Sequence, residues 1–293
     1  MSFSAYSNIR LPRLISDGMV LQRDTKVKIW GWADAGEKIT VRFKDKSYRT
    51  KANEDGKWLV VLNPLKAGGP FTMDISGRNN LSVKDILIGD VWFCSGQSNM
   101  VLPMERVKER YPDDIAGANY PEIRNFFIPT LSDVTRGHDD LPPGKWMSAS
   151  PQNVLNFGAA SYFFAVKIYQ KYHVPIGLIN SSVGGTPIEA WISADGLKSF
   201  PQYSSLVEKF KDSAYVNNRK RQDAARASLP KPKLVPDKGT SGPKPWYDTD
   251  YVPVRWHHFW LPGYWADQGI RGLNGIVWFR KEINVPASMV GKP

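Results

Sequence analysis

The chain has 293 residues, 42% hydrophobic and 23% charged, a balance typical of a globular protein that folds into about two domains. Most of its net charge of +11 comes from the Pro-rich segment Arg219–Trp246, which contains eight basic residues and only two acidic ones. This pattern predicts a solvated connector, not a folded basic face, and argues against nucleic-acid binding. No apolar run approaches the about 18 residues of a membrane span, and the first residues lack the order of a signal peptide, so we expect either a cytoplasmic protein or one whose signal was removed.

The N-terminal part of the chain alternates between apolar and polar residues. Ile39–Phe43 and Phe71–Ile75 show this period of two within residues 25–88, and Gly- and Asp-containing turns separate such runs. The pattern predicts a small antiparallel β-sandwich over residues 1–88, with no reactive group in it.

The alternation stops at Gly89. Val91–Cys94 is apolar on both faces, which predicts a buried strand of a parallel sheet, and Ile123–Ile128 reads as a second strand. Cys94 is the single cysteine of the chain, and its place in the apolar run favours a buried small hydrophobe over a reactive thiol.

A βαβ unit follows. Gly158–Tyr172 carries apolar residues at helical spacing, and Pro175 ends the helical pattern. Ile176–Asn180 is the next apolar strand, so an α/β fold with a parallel sheet is predicted. Residues 199–226 are polar and predicted to be partly helical.

Two polar, Gly-containing loops come directly after predicted strands. They are Ser95–Asn99 and Ser181–Pro187, and the carboxyl ends of parallel strands meet at one edge of a sheet. Ser98 on such a turn has the position of an acyl-transfer nucleophile, with its own amide and that of Gly185 as oxyanion donors. Composition alone leaves an ordinary turn open as the alternative.

Two blocks of the chain resemble a known family. Gly89–Met100 closely resembles the first block of the sialate O-acetylesterase family, a branch of the SGNH hydrolases, and Gly184–Trp191 resembles its second block. The resemblance extends to a leading β domain at Leu11–Arg23 and Ile29–Ala33. Gly275–Lys281, like the preceding Trp260–Trp265, is similar to the sugar-binding-like β domain that some members insert.

The resemblance implies a serine esterase that removes acetyl groups from sugar hydroxyls, most of all those of sialic acids. It implies Ser98 as nucleophile, Gly185 as oxyanion donor, and Gln97, Asn99 and Gly184 as residues of the substrate-binding turns. It also implies an SGNH-type sheet over 89–198, a connector over 199–250, the start of an inserted β domain over 251–293, and a periplasmic or extracellular location.

Two expected blocks are missing. The Gln-Gly-Glu block is absent, and none of the four histidines has an aspartate three positions before it, so the Asp-x-x-His base is absent too. We therefore predict an N-terminal portion that needs the C-terminal remainder of the same protein to complete the site. His257 and His258 are predicted to be a partly buried structural pair, and neither a metal site nor a cofactor is predicted.

Other functions stay open at this point. The chain could be an acetylxylan or other carbohydrate esterase, or a carbohydrate-binding fragment without catalysis that uses some of its eleven tryptophans as stacking platforms. Against the latter, Trp30, Trp58 and Trp278 lie in strand-like runs where a large ring is expected to fill a core. An esterase acting on lipids ranks lower because no apolar lid helix is evident.

Overall fold

A computed structural model describes residues 8–131, 133, 135–229, 236–272 and 275–291. The chain divides into two compact units, Met1–Arg219 and Lys220–Pro293. In the described ranges, no helix combines the length and the apolar character needed to cross a membrane.

The first unit opens with antiparallel strands. The strands are β1 (Val20–Gln22), β2 (Val27–Trp32), β3 (Lys38–Phe43), β4 (Lys46–Lys51), β5 (Lys57–Leu62), β6 (Gly68–Ser76) and β7 (Asn80–Gly96). The pairing confirms the antiparallel strands predicted from the period of two: β3 lies between β4 and β6, and β2 pairs with β5 in a separate two-stranded sheet. Apolar residues of both sheets, among them Ile29, Val41 and Ile75, share one buried core.

Strand β7 links the two kinds of sheet. Its first half pairs antiparallel with β6, and its second half pairs in parallel with a later strand, β10 (Ile176–Ser182). The eight-stranded sheet is completed by β8 (Tyr120–Phe127), which is parallel to β10, and by β9 (Trp146–Ala149), which is antiparallel to β8. The fold is therefore mixed α/β, with a sheet that is largely antiparallel and partly parallel.

The predicted βαβ unit is confirmed in its elements. Helix α3 (Ala159–Tyr172) begins after Gly158 and ends at His173, whose left-handed φ of 53° closes it. Its buried face, with Tyr162 and Ala165, packs with Leu178 of β10 in a second hydrophobic core. The shorter helices of this region are α1 (Ser98–Val101), α2 (Pro112–Ala116) and the 3-10 turns Met104–Val107, Val154–Asn156 and Ile188–Trp191.

One burial prediction is wrong. Val91–Cys94 was expected to be covered on both faces, yet Trp92 is exposed and Phe93 retains 66% of its accessible surface. The reason is the position of this segment in the sheet. After Gly89, β7 has β10 on one side, and no described strand pairs with its other side.

The rest of the chain is mainly helical or irregular. Part of the basic segment is helical instead of extended, because a helix that begins at Ser213 continues through Arg219 to Ala227. The strand predicted over 275–283 is not formed, since no described neighbour supplies the hydrogen bonds that a strand needs. The remaining helices are α4 (Ala194–Leu197), α5 (Pro201–Lys211), α6 (Ser213–Ala227), α7 (Lys238–Ser241) and the 3-10 turns Trp265–Gln268 and Ala287–Met289.

Candidate active site

Ser98 lies just beyond the carboxyl end of β7. Gly96 makes the turn out of the strand with a φ of 142°, a conformation that residues with a Cβ rarely adopt. Ser98 is the first residue of α1, where its carbonyl accepts a hydrogen bond of 2.9 Å from the Leu102 amide. The side chain is thus exposed on a backbone that the helical turn holds in place.

The two loops predicted to meet lie side by side. Gly96 is opposite Ser182 in the parallel register of β7 and β10, and the Val183 amide donates to the Gly96 carbonyl over 3.0 Å. The side-chain amide of Gln97 also donates to the carbonyl of Thr186. Gln97 therefore joins the two loops, which gives it a positioning role that its place in the sequence did not indicate.

Of the two glycines in the second loop, Gly184 is the one next to Ser98. A Cβ atom built on Gly184 would lie 3.5 Å from Cβ of Ser98 and 3.9 Å from its amide nitrogen. Gly185 has a φ of 75°, and a Cβ atom there would meet nothing within 4 Å. The prediction that Gly185 is the oxyanion donor stays a prediction, and the geometry makes Gly184 an equal candidate.

Unpaired backbone amides are available in the two loops. The amides of Ser98, Gly184 and Gly185 donate to no protein acceptor among the described residues. Unpaired backbone amides beside a reacting serine are the kind of group that stabilises a developing oxyanion in acyl transfer. Asn99 is exposed, and its side chain has no hydrogen-bond partner in the described structure, so nothing defines its role beyond the turn.

No base contacts the nucleophile candidate. The Ser98 hydroxyl has no hydrogen-bond partner in the part of the chain that the structure describes. His257 and His258 belong to the second unit and are both exposed, so the prediction that they are partly buried is wrong. The segment that contains them forms no strand and leaves both rings in solvent.

A histidine–carboxylate pair lies elsewhere in the first unit. Nε2 of His138 is 3.0 Å from Oδ2 of Asp133. Hydrogen bonds from the hydroxyl and the amide of Thr135, together with the nearby imidazole, lower the pKa of the Asp133 carboxyl. The pair does not have the Asp-x-x-His spacing, because its members are five positions apart.

A cavity of about 710 Å³ lies along the second loop. We call it the loop cavity. It is bordered by Ser181–Val183 and Thr186 on one side, and by His138 and Trp191. The Trp191 indole nitrogen donates to the Thr186 hydroxyl over 3.0 Å, so the loop and this aromatic wall are joined.

Cys94 is buried as predicted. Burial raises the pKa of its thiol, which keeps it protonated and unreactive near neutral pH. Among the described residues, no cluster of three His, Cys, Asp or Glu side chains has the arrangement of a metal site.

Residues 88–221 match the sequence profile of the carbohydrate esterase family of sialic acid-specific acetylesterases. This part of the chain belongs to that family. The matched residues begin within β7 and include both the Ser98 turn and the Gly184–Gly185 loop.

Individual relatives agree with the family assignment. The chain is 29% identical to a rat sialate O-acetylesterase over 97% of its own length and 54% of the relative's. It is 33% identical to the human sialate O-acetylesterase over 67% of its own length and 41% of the relative's. A solved carbohydrate acetylesterase from Xanthomonas citri superposes with a TM-score of 0.62 at 39% identity, over 64% of this chain and 43% of that one. The chain thus spans about half the length, or less, of the relatives that it matches.

Proposed function

We propose that this member of the esterase family removes O-acetyl groups from sugars, with Ser98 as the nucleophile. One observation carries the proposal. Ser98 is held on a turn next to Gly184, and the backbone amides of both residues have no protein acceptor among the described residues. Neither an ordinary surface turn nor a sugar-binding loop needs this combination of a serine and unpaired amides.

Apart from the base, each step of ester hydrolysis has a corresponding group in this site. Ser98 Oγ attacks the acetyl carbonyl carbon while a base takes its proton, and the carbonyl oxygen becomes an oxyanion that the amides of Ser98 and Gly184 or Gly185 stabilise. The bond to the sugar oxygen then breaks, and the sugar leaves with the proton as a free hydroxyl. Water hydrolyses the acetyl-serine to acetate and restores Ser98.

The mechanism needs a base next to Ser98, and none of the described residues supplies one there. We propose that it comes from an Asp-x-x-His block in polypeptide outside these 293 residues. The lack of any hydrogen-bond partner for the Ser98 hydroxyl among the described residues supports this. The His138–Asp133 pair is the alternative, because His138 borders the same cavity as the second loop.

Hydrolysis of 4-nitrophenyl acetate tests these assignments. The 293-residue chain, a longer polypeptide that continues through an Asp-x-x-His block, and the Ser98→Ala variant of each are compared. We expect turnover by the longer polypeptide only, lost in its Ser98→Ala variant with the far-UV spectrum unchanged. Turnover that survives Ser98→Ala would refute the nucleophile assignment.

The same assay separates the two sources of the base. If the 293-residue chain turns over by itself and His138→Gln abolishes the activity, the base is His138 and the external block is unnecessary. Asp133→Asn should then lower the rate as well, because Asp133 orients the imidazole.

The identity of the sugar is a finer part of the proposal. Sialic acids are the substrates that the names of the rat and human relatives indicate, whereas the Xanthomonas citri relative is named only as a carbohydrate acetylesterase. Acetate release from O-acetylated sialic acid and from acetylxylan, measured in parallel, decides between the two. Following the family resemblance, we also propose a periplasmic or extracellular site of action.

We propose the following layout for the domains. Residues 1–88 form an N-terminal β domain, 89–198 the first part of an SGNH-type hydrolase domain, 199–250 a connector and 251–293 the start of an inserted β domain. The change from antiparallel to parallel pairing within β7 supports the first boundary. Limited proteolysis with mass spectrometry tests it: cleavage is expected within 199–250 and not between 80 and 96.

A further inference from the structure

The loop cavity extends beyond the hydrolase segment into the N-terminal β domain. Its wall includes Leu14 and Trp30 in addition to the Ser181–Val183 loop and Trp191. Its volume of about 710 Å³ lies within the usual range of small-molecule sites, about 300–1,000 Å³. The β domain is thus part of the wall next to the candidate active site and not only a packing partner.

A second cavity adjoins the first. It has a volume of about 520 Å³ and is bordered by the exposed side of β2 and β5, including Trp30, Lys57 and Leu59. Trp30 and Asp139 border both cavities, so the two meet at these side chains. We call the pair the double cavity.

Trp30 does not fill the core, contrary to the prediction from its strand-like run. The Trp30 side chain lies on the face of β2 opposite to the one that carries Ile29, and 36% of its surface remains accessible. It is next to Leu59, its partner on the neighbouring strand β5. Trp191, which also borders the loop cavity, keeps 37% of its surface accessible. Partly exposed indoles in the wall of a cavity are typical platforms for flat, weakly polar faces such as those of sugar rings.

Polar groups accompany these indoles. Lys57 forms a 2.8 Å ion pair with Asp139 where the cavities meet, and sugar hydroxyls hydrogen-bond readily to both kinds of side chain.

We propose that the double cavity binds successive rings of an oligosaccharide, with Trp30 as the stacking platform between them. The acetylated ring occupies the loop cavity, and the following rings lie along β2 and β5. The identity of this ligand as the substrate rests on the proposed esterase function, but the binding itself does not require Ser98. The substrate is therefore a chain of several sugar rings and not a free monosaccharide.

Binding of unacetylated oligosaccharides tests this without any catalysis. The Ser98→Ala chain is titrated calorimetrically with xylose, xylobiose, xylotriose and xylotetraose, and with sialic acid and sialyllactose. We expect the affinity to rise with the number of rings in at least one series, up to three or four rings. Equal affinity for one ring and for four, or no binding in either series, would overturn the proposal.

Substitutions locate the binding. Trp30→Ala is expected to weaken binding of the longest ligand about tenfold, and Trp30→Phe, which keeps a flat ring, about threefold. Tyr172→Ala, which removes a 52% exposed aromatic ring from the end of α3 that borders neither cavity, is the matched control and should bind like the parent. Unchanged affinity in Trp30→Phe and Trp30→Ala, both checked for folding by circular dichroism, would refute the platform. Loss of esterase activity in Ser98→Ala with intact length-dependent binding separates this proposal from the esterase function.

Discussion

The Val183 amide donates a hydrogen bond of 3.0 Å to the Gly96 carbonyl, which joins the turn after β7 to the turn after β10. Gly96 and Ser182 are the last pair of the parallel register between β7 and β10, and this hydrogen bond extends the pairing by one residue beyond them. Through this link Ser98 and Gly184, which are far apart in the chain, become neighbours. The candidate site is a consequence of strand pairing more than of either loop alone.

The two glycines of the second loop should respond differently to alanine. Gly185→Ala is expected to lower stability by about 1 kcal/mol because of its φ of 75°. Gly184→Ala has no such strain, and its methyl group would make an ordinary van der Waals contact of 3.5 Å with Cβ of Ser98, where it fills space beside the reacting group. We expect it to lower kcat/KM about 10- to 100-fold in the polypeptide that turns over, with little change in melting temperature. A larger loss of stability for Gly184→Ala than for Gly185→Ala would contradict this geometry.

Gln97 should act through the position of the second loop. Its side chain donates to the Thr186 carbonyl, so Gln97→Ala removes one of the two links between the loops. Amide hydrogen exchange over residues 181–187 should become faster, as measured by mass spectrometry on the folded chain. Asn99→Ala, which removes a side chain without a partner in the described structure, is the control and should leave exchange there unchanged. Equal effects of the two variants would show that Gln97 does not hold the loop.

The thiol of Cys94 should be poorly reactive in the native chain. Burial raises its pKa, so at about pH 8 the thiolate fraction is smaller than that of a free cysteine, and it increases only as the pH rises further. Reaction with Ellman's reagent should therefore be slow in the folded protein and fast in urea. Cys94→Ala is the blank for this assay and should retain whatever activity the parent has. Rapid labelling of the native chain would contradict the burial of this residue.

The free edge of β7 should promote self-association. Phe93 is largely exposed on a strand whose outer side has no partner in the described part of the chain. Exposed apolar strand edges favour edge-to-edge pairing, and a lysine on such an edge opposes it. We expect Phe93→Lys to reduce concentration-dependent light scattering while changing stability by only about 0.5 kcal/mol.

Phe126→Lys is the matched control for that experiment, because Phe126 is fully buried and a lysine there should unfold the domain. Scattering that is the same for the parent and Phe93→Lys would exclude the edge as the cause of association.

Several features of the fold were predictable because they depend on neighbouring residues. The apolar spacing of Gly158–Tyr172 predicts α3, and the alternation of Ile39–Phe43 predicts β3, since each pattern matches the period of one element. The meeting of the Ser95–Asn99 and Ser181–Pro187 loops followed from the rule that parallel strands end at one edge. The family resemblance then singled out Ser98 among the polar residues of its turn.

Exposure was not predictable in the same way. Trp92 and Phe93 read as core residues, but burial of a strand depends on whether a neighbour covers each side, and that is a long-range property. The pairing of His138 with Asp133 escaped a search by fixed spacing for a similar reason, since a loop brings the two side chains together by its shape.

The sequence by itself determined most elements of the first unit, the two polar loops and the family resemblance, because periodicity and short motifs are written in consecutive residues. Only the tertiary structure decided that Gly184 adjoins Ser98, that Gln97 joins the loops and that Trp30 faces a cavity instead of the core. Each of these depends on the register between distant strands, and a shift of one residue in that register would turn every side chain to the opposite face.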